Sequence, residues 1–219
     1  MGHFLAHRHF HIDDVCYPSV TTIINVKPKP WLDKWREKHG DAFCDAVVKE
    51  ANTVGTEFHS IAEHLVNGVN VAPSTPQLAG MVASLKVWLS QHQIIPEVQE
   101  HAVYSVVHQY QGTLDFIGTL NGILVVIDWK SSNTIYEDMG LQLVAYARAF
   151  EERTGLKIKT GWIVQVSKKP PYKLATREFK LGKRLFKEFL ALREEYGTKE
   201  CDGLEVVNLF TEGGKGGSI

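Results

Sequence analysis

The chain reads as an α/β protein with a mixed central sheet flanked by helices, and three observations predict this. Two short apolar runs, 111–119 and 123–130, are joined by the tight turn Leu120-Asn121-Gly122, the pattern of an antiparallel hairpin. An amphipathic stretch near 138–153 then separates that hairpin from two further β-like runs, as a helical crossover would. With 219 residues, 44% of them hydrophobic, the chain has enough apolar material for one sizeable core.

Taken in order, residues 1–26 read as a short β-rich lead ending at the β-branched run Val20–Ile24. Lys27-Pro28-Lys29-Pro30 breaks that structure. Helices are expected at 31–50 and 55–67, with Thr56 as the N-cap of the second and Phe58, Ile61, Ala62 and Leu65 on its core face. A Pro/Ser/Thr loop at 72–76 leads into a helix near 77–93. Strands follow at 98–108, 111–119 and 123–130, then the helix near 138–153, strands near 159–167 and 172–178, and a last helix near 181–196. The expected organisation is one domain over 1–205, with a strand and helical part at 17–95, a core at 96–196, and a flexible Gly-rich tail over 206–219.

The chemistry concentrates at the ends of two of these runs. Asp115 follows Gly112-Thr113-Leu114, and Asp128-Trp129-Lys130 follows Ile123–Ile127. Alternate side chains of a strand share a face, so Asp128 and Lys130 point one way and Trp129 points into the packing on the other side. Two carboxylates and an ammonium on one spot suit a hard cation such as Mg²⁺ or Mn²⁺. A lysine there would orient an attacking water or help deprotonate it, so the set reads as a phosphodiester-hydrolysis site. The plainer alternative is an ion pair at a strand end. A second acid-x-Lys triplet, Glu178-Phe179-Lys180, lacks any Asp or Glu between Glu152 and Glu178 to share an ion with it.

Two flanking segments add donors. His59 and Glu63 are four apart on the shoulder of a helix face. His59 is either an imidazole ligand, favouring Mn²⁺, or a half-buried histidine bonded to Glu63. Gln142 and Tyr146 share a face of the later helix, where they would hold the lysine, a water or a phosphate, or simply mark the helix boundary.

These motifs in this order, Gly55-x-x-x-His59, Asp115 after Gly-Thr-Leu, Asp128-Trp129-Lys130-Ser131-Ser132 and Gln142-x-x-x-Tyr146, resemble the RecB-type branch of the PD-(D/E)xK nucleases. The opening Tyr17-Pro18-Ser19-Val20-Thr21-Thr22-Ile23-Ile24, with Trp31-Leu32-Asp33-Lys34-Trp35, is similar to phage exonucleases and to exonucleases of mitochondrial genome maintenance. The resemblance implies a restriction-endonuclease-like core under an N-terminal helical arch. It implies Asp115 and Asp128 as acidic ligands of one or two Mg²⁺ or Mn²⁺ ions, with His59 and the Trp129 backbone carbonyl beside them. Glu100 would be a second-site or structural acid, Lys130 the catalytic lysine, and Gln142 and Tyr146 the motif after it. With only Cys16, Cys44 and Cys201, no iron–sulfur cluster is expected. Trp31 and Trp35 read first as core residues, with stacking on bases in the arch as the alternative.

Net charge is −1 but unevenly spread. Eleven Lys and Arg from Arg153 to Lys187 face one acid, whereas 97–138 holds six acids and a single Lys. The basic stretch, with Lys168, Lys169, Lys173 and Arg177, would hold a phosphate backbone beside an acidic metal site, or else be a solvated charged face. Ser131 and Ser132 would donate to phosphate or form a plain turn. The expected function is therefore a metal-dependent DNA exonuclease acting on single strands or ends in phage or bacterial replication, recombination or repair. A recombinase or single-strand-binding protein is the partner such work implies. The alternatives are a structure-specific endonuclease on the same core and an inactive DNA-binding module. No apolar run reaches membrane-spanning length and no signal-peptide pattern opens the chain, and the spaced cysteines suggest no disulfide framework, so a cytoplasmic setting is expected.

Overall fold

The computed structural model describes residues 10–12 and 15–197; the tail expected from 206 lies outside the described residues. The described residues open with β1 (Phe10–Ile12) and β2 (Val15–Tyr17), an antiparallel pair, followed by α1 (Val20–Ile24). The expected strand at Val20–Ile24 is thus a helix. Ser19 Oγ accepts the Thr22 N–H at 3.1 Å as its N-cap, and Val20, Ile23 and Ile24 are buried at helical spacing. Burial and the cap override the β preference of these branched residues. Cys44 is buried and free while Cys16 is disulfide-bonded, so the expectation of unpaired cysteines fails at Cys16.

Next come α2 (Pro30–His39), α3 (Asp41–Val66) and α4 (Pro76–Ser90). The break between the first two falls at Gly40, whose φ of 81° favours glycine. Gly55, expected to start a helix, lies inside α3, and Thr56 is no cap. A glycine there costs a helix about 1 kcal/mol. A Cβ there would lie 3.3 Å from Ser131 Oγ, so the bare backbone leaves room for the loop after Lys130 to pack on the helix. α2 buries no side chain at all, and Trp31 is 62% exposed. Core burial, expected for Trp31 and Trp35, is realised by neither.

A five-stranded mixed sheet forms the centre. Its strands are β3 (Ile94–Ser105), β4 (Tyr110–Leu120), β5 (Ile123–Lys130), β6 (Thr160–Val166) and β7 (Leu174–Lys180), in that spatial order. Neighbours are antiparallel except β5 and β6, which are parallel and joined through α5 (Met139–Thr154). The last helix is α6 (Lys183–Tyr196). One core layer joins the sheet to α1, α5 and α6 through residues such as Val20, Val144, Phe150 and Phe189. The other joins it to α3 and α4 through Phe58, Met81, Leu85, Trp88 and Trp129. Trp129 meets Trp88 edge-on at 6.0 Å and Phe116 at 6.4 Å, as expected for a packing residue.

The sheet ladder is interrupted at one place. β3 and β4 pair on either side of Glu100 and Asp115, and the β4–β5 ladder ends at Phe116↔Ile127, one step short of Asp115 and Asp128. The register also shifts between Pro96 and Val98. Gly118 is opposite that bulge: a Cβ there would fall on the Ile95 carbonyl oxygen and within 3.0 Å of the Glu97 nitrogen. Gly118→Ala is therefore expected to destabilise the fold by about 2–3 kcal/mol or more, measured by urea denaturation, because backbone cannot yield as a side chain can.

Candidate metal centre

At the interrupted ladder the backbone delivers three acids to one place. Asp115 is 8% exposed and Asp128 1%, and carboxylates this deep require compensation. Asp115 Oδ2 accepts the Trp129 backbone N–H at 2.8 Å and lies 3.2 Å from His59 Nδ1. Lys130 Nζ lies 2.6 Å from Asp128 Oδ2. Beyond that ion pair, neither Asp128 oxygen has a well-directed hydrogen bond. His59, Glu100 and Asp115 each offer a ligand atom, all within 4.8 Å of one another. Glu100 reaches this group with φ at +43°, a left-handed conformation uncommon for a non-glycine residue.

His59 comes from α3, whose cleft-facing residues Ala51, Gly55, His59 and Glu63 recur every fourth position. His59 engages Asp115 rather than Glu63. The Gly55–Ser131 approach described above brings the imidazole within reach. From α5, Gln142 Nε2 donates to Tyr146 Oη at 3.1 Å. The Tyr146 ring packs so closely on β4 that a Cβ at Gly112 would come within 2.5 Å of its Cε1.

The cleft over the acids has a volume of about 760 Å³ and is lined by His59, Glu100, Lys130, Ser131, Ser132 and Lys168 among others. Lys168 Nζ donates to the Ala51 carbonyl at 2.9 Å, tying the β6–β7 connection to α3. Lys169 and Lys173 lie exposed on that connection, outside the cleft lining. Arg177 is held elsewhere, 2.6 Å from Glu137 and over the Phe179 ring. Gln165 was not anticipated: its amide donates to the Ser132 carbonyl from a buried position. Its signal was a lone amide in the apolar run Trp162–Val166. The triplet at Glu178 sits on edge strand β7, exposed, opposite Trp162.

The electrostatics divide the acids. Burial works to raise Asp115, but the hydrogen bond and charge of His59, with Lys130 and the Trp129 N–H, carry it below the usual carboxylate range. Burial raises Asp128 to about 6 despite Lys130, with the nearby Asp115 charge adding to the rise. Burial opposes the charge on Lys130, yet Asp128 and Asp115 raise it above the ordinary lysine value, so it is an ammonium. Burial likewise opposes charge on His59, and Asp115 outweighs it. Glu100 is raised by burial and by Asp115. Burial and the acids push the Tyr146 phenol up, so it stays neutral. The orphaned Asp128 oxygens and the clustered His59, Glu100 and Asp115 atoms form a donor set of carboxylate oxygens and one imidazole. That set fits a divalent cation.

No family model matches the chain. It is 27% identical over 206 residues to mitochondrial genome maintenance exonuclease 1 of Mus musculus, covering 84% of this chain and 60% of that protein's length. Among solved structures, a candidate exonuclease from Eubacterium rectale superposes with a TM-score of 0.46 at 11% identity, covering 65% of this chain and 64% of that one. An alkaline exonuclease from Laribacter hongkongensis gives 0.36 at 8% identity, over 64% and 76%. Structural likeness this distant carries no argument. No helix among the described residues is long and apolar enough to cross a membrane.

A carboxyl raised from 3.8 to about 6 binds its proton more tightly in the folded state than in the unfolded chain. Its charge therefore costs stability in full above about pH 6, and the cost is relieved as pH falls from 6 towards 4. At about 1.4 kcal/mol per unit the full cost is on the order of 3 kcal/mol. In EDTA, Asp128→Asn is expected to exceed the parent's stability at about pH 7.5, with the margin closing by about pH 4.5 in urea denaturation. The amide oxygen can still accept from Lys130, whose charge Asp115 continues to favour. A margin independent of pH would refute it.

Proposed function

We propose that this chain is a metal-dependent DNA exonuclease with a PD-(D/E)xK-type catalytic core. The observation that carries the reading is the buried pair Asp115 and Asp128, with Lys130 and His59 closing on them. The similarity to a relative named as an exonuclease supports it. Asp115, Asp128, His59 and Glu100, with the Trp129 carbonyl, would hold Mg²⁺ or Mn²⁺. The bound ion would polarise the phosphoryl oxygen and lower the pKa of an attacking water.

The chain's own groups do the rest. Lys130, kept as an ammonium by Asp128, donates hydrogen bonds and offsets negative charge building on the phosphate. As an ammonium its part is orientation and charge. Asp115, ionised throughout the neutral range, keeps His59 in place through Nδ1. Tyr146 and Gln142 offer neutral hydrogen-bonding groups beside the acids. Ser131, Ser132 and Lys168 line the cleft where a phosphodiester would lie. Lys169, Lys173 and, once released from Glu137, Arg177 supply charge for the backbone beyond it.

An end-labelled single strand incubated with Mn²⁺, Mg²⁺ or EDTA tests this directly. Cleavage is expected in the metal lanes and absent in EDTA. Lys130→Met and Asp115→Asn are expected to lower the rate by at least about a hundredfold in protein that circular dichroism shows to be folded at the assay temperature. A covalently closed circle is expected to survive, since an exonuclease needs an end. Parental rates in either variant would exclude the reading, and a cut circle would replace exonuclease with endonuclease.

A further inference from the structure

Lys130 lines two clefts, and the second is unaccounted for by the metal chemistry. It holds about 320 Å³ and is lined by Lys29, Trp31, Tyr136, Met139 and Gln142 as well as Lys130, the one residue it shares with the cleft over the acids. We propose that this second cleft is a nucleobase slot, in which Trp31 and Tyr136 stack on a base next to the scissile phosphate. The proposal rests on the nuclease reading for the origin of its ligand, but on separate residues for its chemistry.

Three observations point to a flat aromatic ligand. First, Trp31 is 62% exposed and Tyr136 54%. Two large rings left in water at the wall of one small cleft contribute nothing to the core, and each gains by covering its face. Second, α2 buries none of its residues. It is tied to α3 at its periphery, with Arg36 at 2.9 Å from Asp41 and 2.8 Å from Asp45, and with the His39 and Phe43 rings stacked. A helix held out of the core in this way keeps Trp31 at the cleft without spending it on packing. Third, Lys130 joins the two clefts. A strand whose phosphate meets that ammonium over the acids has an adjoining nucleoside within reach of the other side. Lys29, whose amine is 2.6 Å from Asn25 Oδ1 at the same cleft, adds positive charge for a neighbouring phosphate.

The cleft's polar side chains also say how the base is recognised. Gln142 donates to Tyr146, Asp138 is 3.4 Å from Lys27, Thr21 bonds Ser19, and Asn25 accepts from Lys29. Each of those groups is already drawn into a bond inside the chain while the two rings are left bare, so the slot is built to grip a base by its face. Stacking of this kind tolerates every base, which suits an enzyme that must step along any sequence.

The test is a cycle between ring and base. Binding of a ten-nucleotide single strand is measured by fluorescence anisotropy with Ca²⁺ replacing Mg²⁺ or Mn²⁺, for the parent, Trp31→Ala, Trp31→Phe and Tyr136→Ala. The strand is supplied intact and with one abasic site placed at each position in turn. One abasic position is expected to weaken parental binding roughly 5- to 150-fold. The same abasic site should change Trp31→Ala binding by no more than about twofold, because the ring that held the base is gone. Trp31→Phe should restore most of the sensitivity, and Tyr136→Ala should diminish it. If the ring and base losses multiply independently, or no position is sensitive, the slot is overturned. Coupled losses in a protein that cleaves nothing in Mn²⁺ would retire the nuclease reading and leave the slot standing. Independent losses in an active nuclease would do the reverse.

Discussion

The structure is organised around one expensive placement, two carboxylates buried where the hairpin ladder of adjacent strands stops. Left alone, Asp115 and Asp128 would repel each other and lose their water, a cost of several kcal/mol per group in a dry site. Asp115 is met by a backbone N–H from Trp129 and by His59, and Asp128 by Lys130. Each compensation demands close approach by another element. His59 needs α3 near the loop after β5, which a side chain at Gly55 would crowd through Ser131; Tyr146 needs α5 near β4, which a side chain at Gly112 would block.

The compensation is unequal, and that inequality is the chemistry. Asp115 has directed donors and stays ionised, whereas Asp128 has one cation and no well-directed hydrogen bond and is pulled up to about 6. An acid left short of partners within a folded chain is poised to gain from a cation that the chain itself does not supply. Glu100, which reaches the same group only through a left-handed backbone, shows the same tension from the conformational side. Local comfort is given up at three acids in one place, the concentration of strain and under-satisfied charge from which the proposed site is inferred.

Much of this was legible in the sequence because the site rides on regular strands. Period-two alternation fixed which way Asp128, Lys130 and Trp129 face, and Asn121-Gly122 fixed the hairpin that brings Asp115 alongside. What failed to show was set by contacts between distant segments. Val20–Ile24 looks like a strand until the Ser19 cap and three buried contacts make it a helix. Gly55 looks like a break until Ser131 explains why a helix keeps it. Trp31 looks like core because tryptophans usually are, and nothing in its own segment says that α2 stands off from the sheet. The charge run from Arg153 to Lys187 looked like one surface. Folding instead separates Lys168, which lines the cleft, from Arg177, which pairs with Glu137, and from the lysines of α6.

Lys130 is the residue at which the buried acids and the two clefts meet. Its ammonium is held by Asp128 on one side and borders both clefts on the other. In the proposed reading a strand crossing from one cleft to the other meets this group, and gripping the strand and stabilising charge at its phosphate would fall to a single side chain. That double duty requires a compact cation. An arginine's planar fork is broader and would reach its carboxylate through two parallel hydrogen bonds, a geometry for which Asp128 at 2.6 Å from the amine, sealed beneath the cleft, leaves little room. The choice of lysine follows from the burial of Asp128, and the junction of the two clefts follows from the lysine.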